Sequence, residues 1–136
     1  MILFHAENNF RIKTPQALKV WITNSVLKEE KTIGDINIIF CDDTFLLIKN
    51  KKYLNHSSLT DILTFDFSTK KSLSGDIFIS TERVKKNATK YNVSFNKELN
   101  RVIIHGILHL LGYKDKTEKE KKIMRKKEDF YLSLQT

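Results

Sequence analysis

The chain has 136 residues, 40% of them hydrophobic, which fits a single domain spanning residues 1–136 with a substantial core. Its one cysteine, Cys41, excludes an internal disulfide and favours a reducing, cytoplasmic setting, and the absence of long apolar runs leads us to expect neither a signal peptide nor a membrane span. The net charge is +8, and residues 69–136 carry the whole excess, with sixteen basic and eight acidic residues against eight and eight in residues 1–68.

The first half is predicted to begin with a short strand at residues 2–4, followed by a helix. Thr14 and Pro15 fit the N-cap and first position of that helix. Gly34 is expected to break the chain before a strand at residues 35–40, and Asp42 or Asp43 to cap a helix over residues 42–52. The inward residues of the two helices, chosen by spacing, are Leu18, Trp21, Ile22 and Val26, then Phe45, Leu46 and Ile48.

The middle of the chain predicts two paired strands, at residues 59–67 and 75–80, joined by a polar turn. A helix should start at Thr81, with Val84, Ala88 and Tyr91 on its inner stripe. The following helix, from Phe95 to Leu111, is apolar nearly all round and therefore predicted to be buried.

Ser94 is the expected N-cap of that buried helix, and Gly112 its expected C′ glycine. A loop over residues 113–116 leads to a last helix from about Thr117. The candidate inward residues of the last helix are Ile123, Met124, Phe130 and Leu132. The order of elements predicts an α+β fold in which a small mixed β-sheet packs with helices.

Two histidines on the central buried helix, His105 and His109, form the strongest chemical signal. Four residues apart, they lie on one face of the helix, about 40° from each other. Unpartnered histidines on an otherwise apolar helix would leave ring nitrogens unsatisfied. Gly112 allows the chain to turn back, so that Asp115 can offer a carboxylate to the same ion. Two nitrogens and one oxygen are ordinary zinc ligands, and three protein ligands leave a position for water. We expect one zinc, or another divalent metal, per chain.

The pattern H-x-x-x-H-x-x-G-x-x-D is similar to that of the zincin peptidases, with one difference. Those enzymes carry a glutamate directly after the first histidine as the general base. Here that position is Gly106, which has no side chain to move a proton. A peptidase mechanism of the usual kind is therefore disfavoured.

The segment H-G-I-L-H-L-L-G-Y at residues 105–113 resembles the signature of the YbeY family of bacterial rRNA-maturation endoribonucleases. The resemblance extends to L-T-D-I-L-T-F at residues 59–65 and G-D-I-F-I-S at residues 75–80, and covers most of residues 35–130. It implies a zincin-like fold and a bound zinc. It also implies cleavage of single-stranded RNA in small-subunit rRNA maturation and ribosome quality control.

The chain departs from this family at three positions. Asp115 stands where the third ligand is usually a histidine. Leu54 follows Tyr53 where the family usually has an arginine, and Leu59 replaces a proline. If that arginine stabilises phosphate charge in relatives, His56 or Arg101 could take its place here.

The predicted activity is phosphodiester hydrolysis, with His105, His109 and Asp115 acting through a metal-bound water and no separate base assigned. The basic second half would bind RNA, and Lys85, Lys86, Lys90 and Arg101 are the candidates. A solvated lysine-rich surface remains the alternative.

Other carboxylates have two interpretations each. Asp61 and Asp76 could cap turns at the strand ends or take part in catalysis. Glu98 could be a partner of the metal ligands or a solvated glutamate in the first turn of its helix. Glu118 is an alternative ligand. At the level of function, a metallopeptidase, another metal hydrolase, or a non-catalytic ribosome-associated zinc module remain alternatives.

Overall fold

A computed structural model describes residues 1–54 and 60–135, without the side chains of Tyr53 and Leu54. The expectations for Leu54, His56 and Leu59 therefore lie outside what is described. The elements, in chain order, are β1 (Ile2–Ala6), α1 (Pro15–Lys28), β2 (Thr32–Cys41), α2 (Asp43–Leu54), β3 (Ile62–Asp66), β4 (Ser72–Ser80), α3 (Thr81–Lys90), α4 (Phe95–Leu110) and α5 (Glu118–Ser133).

The four strands form one mixed sheet in the order β1-β2-β4-β3. β1 and β2 are parallel, as are β2 and β4, whereas β3 pairs antiparallel with β4 through Leu63 opposite Phe78. The predicted α+β class and the pairing of the two middle strands are therefore confirmed.

The two faces of the sheet carry two separate apolar clusters, because successive residues of a strand point to opposite sides. Phe40 and Ile77 belong to the larger cluster, where α1 and α4 pack. Cys41 and Leu63 join Leu46 of α2 in a smaller cluster on the other face. The sheet therefore separates α2 from α4.

Helix caps follow the sequence closely. Ser94 accepts a hydrogen bond from the Lys97 amide at 3.1 Å, and Thr117 forms a capping box with Glu120. Asp42 accepts from the Phe45 amide at 2.8 Å. Thr14 is the expected N-cap, but its backbone is left-handed, with φ 49°, and its side chain makes no capping hydrogen bond.

Several expected inward residues are wrong. Ile48 is 60% exposed, because α2 buries only the side that carries Leu46 and Asn50. On α5, Ile123 and Phe130 are exposed, and the buried stripe consists of Met124, Glu128 and Tyr131.

Two further expectations about the chain's course are also wrong. Gly34 does not break the chain, since it lies within β2 next to a register shift, where a Cβ would come within 2.2 Å of Ser74 Oγ. Tyr91 is exposed because α3 ends at Lys90 and the chain turns through Asn92, with φ 56°. Within the described ranges, every helix is too short or too polar to cross a bilayer.

Candidate metal centre and adjoining cleft

His105 and His109 lie one turn apart on α4, which packs against β3, β4, α3 and α5. The side chains of both remain partly open, 21% and 25% exposed, while their apolar neighbours on the helix are buried. Their Nε2 atoms are 2.9 Å apart. Two nitrogen donors therefore point to one accessible spot on a rigid helix.

The chain after α4 returns to the histidines through a Schellman motif. Gly112 has φ 104°, its amide donates to the His109 carbonyl, and the Tyr113 amide donates to the Leu108 carbonyl, each at 3.0 Å. Asp115 Oδ2 consequently lies 3.2 Å from His105 Nε2 and 3.4 Å from His109 Nε2. The left-handed glycine thus adds a carboxylate to the two imidazoles.

These three donor atoms fit a metal ion. They lie within 4.8 Å of one another, and their separations match the spacing of about 3.3 Å expected around a tetrahedral ion with bonds of about 2.0–2.1 Å. The cluster His105, His109 and Asp115 could therefore hold a metal ion. Glu118, the alternative ligand, is exposed in the first turn of α5, near Lys121 at 3.8 Å, and is not part of the cluster.

Glu128 is a candidate site residue that the sequence did not reveal. Its Oε2 lies 2.6 Å from His105 Nδ1, and its Oε1 accepts from Arg101 Nη1 at 2.9 Å. A carboxylate on the second ring nitrogen of a ligand histidine fixes the orientation and tautomer of the ring. The available signal was the spacing of Met124, Glu128 and Tyr131, which places a glutamate in the apolar stripe of α5.

The two imidazoles are electrostatically different. Burial lowers the pKa of His105, but the hydrogen bond and charge of Glu128 outweigh it and leave the pKa above its ordinary value. Burial, followed by the charge of His105, lowers the pKa of His109. A metal ion binds an imidazole only through a deprotonated nitrogen. Metal binding at the two Nε2 atoms therefore competes with protonation of His105.

A cleft of about 720 Å³ opens beside the cluster, between α3, α4 and α5, and His105 and Asp115 form part of its wall. The other lining residues are Asp61, Asn87, Tyr91, Val93, Lys97, Glu98, Arg101, Val102, Arg125 and Glu128. Its volume is in the range of about 300–1,000 Å³ typical of ligand sites.

The predicted RNA-binding residues occupy different places. Lys85, Lys86 and Lys90 are exposed on α3 and do not line this cleft. Arg101 does line it, but its guanidinium is held by Glu128 at 2.9 Å and by Asp129 at 2.8 Å. Arg101 therefore forms ion pairs within the fold, next to the metal cluster.

The two candidate aspartates are separated by the sheet. Asp61 lines the cleft, where burial raises its pKa, and its carboxylate accepts from Asn87 at 3.5 Å. Asp76 accepts from Asn37 at 3.1 Å on the opposite face, which α4 does not contact. Only Asp61 is therefore near the metal donors. Glu98, buried in the cleft wall, also has a pKa raised by burial.

Gly106 lies where α4 comes closest to the sheet. A Cβ added there would meet Ile62 Cδ1 at 2.8 Å and Ile77 Cγ2 at 3.0 Å. The position that carries the general base in zincin peptidases is thus packed against β3 and β4, with no space for a glutamate side chain.

This fold and this site define a class: an α+β protein whose central helix and following loop form a His-His-Asp cluster suited to a metal ion, with an open cleft beside it. Comparison with known proteins narrows the class. The family model described as Endoribonuclease YbeY matches residues 4–135, and the chain belongs to this family.

Individual relatives agree with that assignment. An Endoribonuclease YbeY of Flavobacterium johnsoniae is 50% identical over 134 residues, covering 98% of this chain and 96% of that protein. One from Karelsulcia muelleri is 52% identical over 132 residues, covering 97% and 94%. The solution structure of TM1509 from Thermotoga maritima matches with a TM-score of 0.69 and 31% identity, covering 97% of this chain and 87% of that one.

Proposed function

We propose that the protein is a single-strand-specific, metal-dependent endoribonuclease of rRNA maturation. Membership of the Endoribonuclease YbeY family supports the reaction class. The observation that carries the proposal is the convergence of His105, His109 and Asp115 within 4.8 Å beside an open cleft. We further propose that residues 1–136 form one metal-hydrolase domain.

The proposed cofactor is one zinc ion per chain. Two imidazoles and a carboxylate are an ordinary zinc donor set, and three protein ligands are typical of catalytic rather than structural zinc. When bound, the ion supplies Lewis acidity toward water and toward a phosphoryl oxygen. The carboxylate at Asp115 is a harder ligand than imidazole and should make manganese a better competitor than at a three-histidine site.

The protein's own groups have separable roles in this proposal. Glu128 holds the Nδ1 proton of His105, so that Nε2 presents its lone pair to the ion. The Schellman turn at Gly112 holds the carboxylate of Asp115 in place. The cleft beside them admits the RNA strand.

The cellular setting belongs to the proposal as well. The substrate would be small-subunit rRNA, the partners the small ribosomal subunit or its assembly factors, and the location the cytoplasm. The basic charge of residues 69–136 supports RNA as the ligand, because Lys and Arg neutralise phosphates. Lys85, Lys86, Lys90 and Arg101 remain proposed contributors to this attraction.

The test is cleavage by purified protein of a single-stranded RNA, the same RNA in a duplex, and casein. Each is assayed with bound metal, after chelation, and after zinc or manganese is returned. We expect cleavage of the single strand alone, lost on chelation and restored by metal. Proteolysis without RNA cleavage would instead support the metallopeptidase alternative, although Gly106 leaves no space for its base.

A further inference from the structure

We propose that the cleft beside the metal cluster grips a single RNA strand through Tyr91, which stacks a base, and through Lys97 and Arg125, which bind phosphates. This inference rests on the proposed function and assigns its RNA-binding residues.

Tyr91 is placed as a stacking platform. It follows the last residue of α3, is 57% exposed, and lines the cleft that contains His105 and Asp115. Its backbone is fixed, because its amide donates to the Asn87 carbonyl at 2.9 Å. Lys90 Nζ lies over the ring, 5.5 Å from its centroid, and adds positive charge there. An exposed aromatic ring next to cations is the arrangement that binds single-stranded nucleic acid.

Lys97 and Arg125 supply cationic groups to the same cleft from α4 and α5. Both are exposed, and in the described part of the chain neither forms an ion pair, in contrast to Arg101, which has two carboxylate partners. Phosphate binding by Lys97 or Arg125 would therefore break no existing ion pair, whereas phosphate binding by Arg101 would.

The carboxylates of the cleft do not prevent the approach of a polyanion. Glu98 and Glu128 are buried, only 7% and 5% exposed, and Glu128 is already bound by Arg101 and His105. Asp115 is one of the metal donors. Asp61 is half-buried and accepts a hydrogen bond from Asn87 at 3.5 Å. Apart from the metal donors, the exposed charged side chains that line the cleft are consequently Lys97 and Arg125, and Lys90 adds a third next to Tyr91.

The arrangement also gives a reason for single-strand specificity. Bases of a duplex are stacked on one another and cannot place a face on Tyr91, whereas unpaired bases can be splayed out onto an aromatic side chain. The same cleft reaches the metal donors, so a strand held at Tyr91 would pass next to His105 and Asp115.

The test uses metal-loaded protein and a fluorescent oligouridylate of about ten nucleotides, within the usual site size. Binding is followed by anisotropy, and the strand's integrity is checked on a gel. Tyr91→Ala should weaken binding about 5- to 150-fold, while Tyr91→Phe stays near the native affinity. Lys97→Ala and Arg125→Ala should each lower the slope of log affinity against log salt by about 0.7.

Matched controls are Phe130→Ala, which removes an exposed aromatic outside the cleft, and Lys122→Ala, which removes an exposed cation of α5. Neither should change binding. If Tyr91→Ala does not fold, Tyr91→Leu keeps the apolar bulk without the ring face and should show the same loss.

Native affinity in Tyr91→Ala, equal losses in Tyr91→Phe and Tyr91→Ala, or equal effects of Lys122→Ala and Arg125→Ala would overturn the assignment and leave the proposed function standing. A native protein that neither binds nor cuts RNA would instead overturn the proposed function.

Discussion

One imidazole of the metal cluster, that of His105, is held at its second ring nitrogen. Its Nδ1 lies 2.6 Å from Glu128 of α5, while its Nε2 faces the other donors. Such contacts orient the ligand rings before a metal arrives and raise the basicity of the donor nitrogen. The metal affinity of this site should therefore depend on residues that never touch the ion.

Glu128→Gln tests this dependence. The amide keeps the shape of the side chain but removes the charge that faces His105, so metal affinity should fall about 10- to 100-fold. The measurement is a calorimetric titration with zinc or manganese. Asp129→Asn is the matched control, because Asp129 contacts Arg101 but is not part of the metal cluster. A native affinity in Glu128→Gln would refute the role given to this glutamate.

Asp115 is the residue at which the chain departs from the family signature, and its role as a ligand is directly testable. Asp115→Ala should lose most of the metal while its circular dichroism stays native, because the Asp115 side chain is 38% exposed and lies outside the apolar core. Asp115→His should retain zinc, since imidazole is an equally good zinc donor. Metal content after dialysis is the measurement.

Glu118→Ala is the control for Asp115, since Glu118 lies in the next helix and outside the cluster. It should change metal content little. Full metal content in Asp115→Ala together with loss in Glu118→Ala would show that the loop binds the ion through the other carboxylate.

The clustering of the proposed ligands could be predicted from sequence, whereas their supporting contacts could not. The i, i+4 spacing on an apolar helix brings His105 and His109 together regardless of the rest of the fold. Glu128 reaches His105 only because α5 packs against α4, a contact between residues 23 apart that no local pattern encodes. The same holds for Tyr91, whose exposure depends on where α3 ends.

At the scale of elements, Glu29 connects three parts of the chain near the metal loop. Its carboxylate, close to the end of α1, accepts hydrogen bonds from Tyr113 at 2.5 Å, from Lys127 at 3.0 Å, and from Tyr131. Tyr113 lies two residues before Asp115, so this contact ties the loop that carries the proposed third ligand to α1 and α5.

Burial raises the pKa of Glu29, but the hydrogen bonds from Tyr113, Tyr131 and Lys127 outweigh it and hold the pKa below its ordinary value. A lowered native pKa stabilises the fold above the unfolded-state pKa, and this stabilisation is lost as pH falls through the native value. Glu29→Gln should thus be less stable near neutral pH, by about 1.5–3 kcal/mol, the usual contribution of a hydrogen bond to a charged group.

The difference between native protein and Glu29→Gln should shrink in acid, below the ordinary pKa of about 4.3 for glutamate. Urea unfolding at several pH values provides the measurement. Glu30→Gln is the control, since Glu30 is exposed and does not take part in these contacts. A difference that stays constant from neutral to acidic pH would contradict the ionic origin of the effect.

Helix and strand positions followed from local patterns, and the errors occurred where packing decided. Caps such as Ser94 were predictable because they depend on residues three apart. Ile123 and Phe130 were wrongly predicted to be buried, because α5 carries apolar residues on more than one face. Contact with α4 is what buries the face of Met124 and Tyr131. The break predicted at Gly34 was wrong, because this glycine allows β2 to lie close to β4 and does not form a turn.

At the scale of the molecule, the neutral and the basic half of the chain form different secondary-structure elements. The neutral first half forms β1, α1, β2, α2 and β3, and the basic second half forms β4 and the three helices that line the cleft. The three helices that line the cleft thus belong to the half of the chain that carries the excess positive charge, which favours the approach of a polyanion to them. Long-range attraction of this kind is screened over about 10 Å at 0.1 M salt.

RNA affinity should consequently fall steeply with salt, with about 0.7 in the logarithmic slope for each phosphate contact. Reversing the charges of Lys85, Lys86 and Lys90 on α3 should weaken binding more than reversing Lys49, Lys51 and Lys52 on α2, which lies on the other face of the sheet. Lys49 also packs over Phe45 and Phe78, so the thermal stability of the α2 variant must be measured alongside. Anisotropy titrations from low to physiological salt give both slopes. Equal losses from the two sets, with both proteins folded, would place the RNA-binding surface elsewhere than on the helices of the second half.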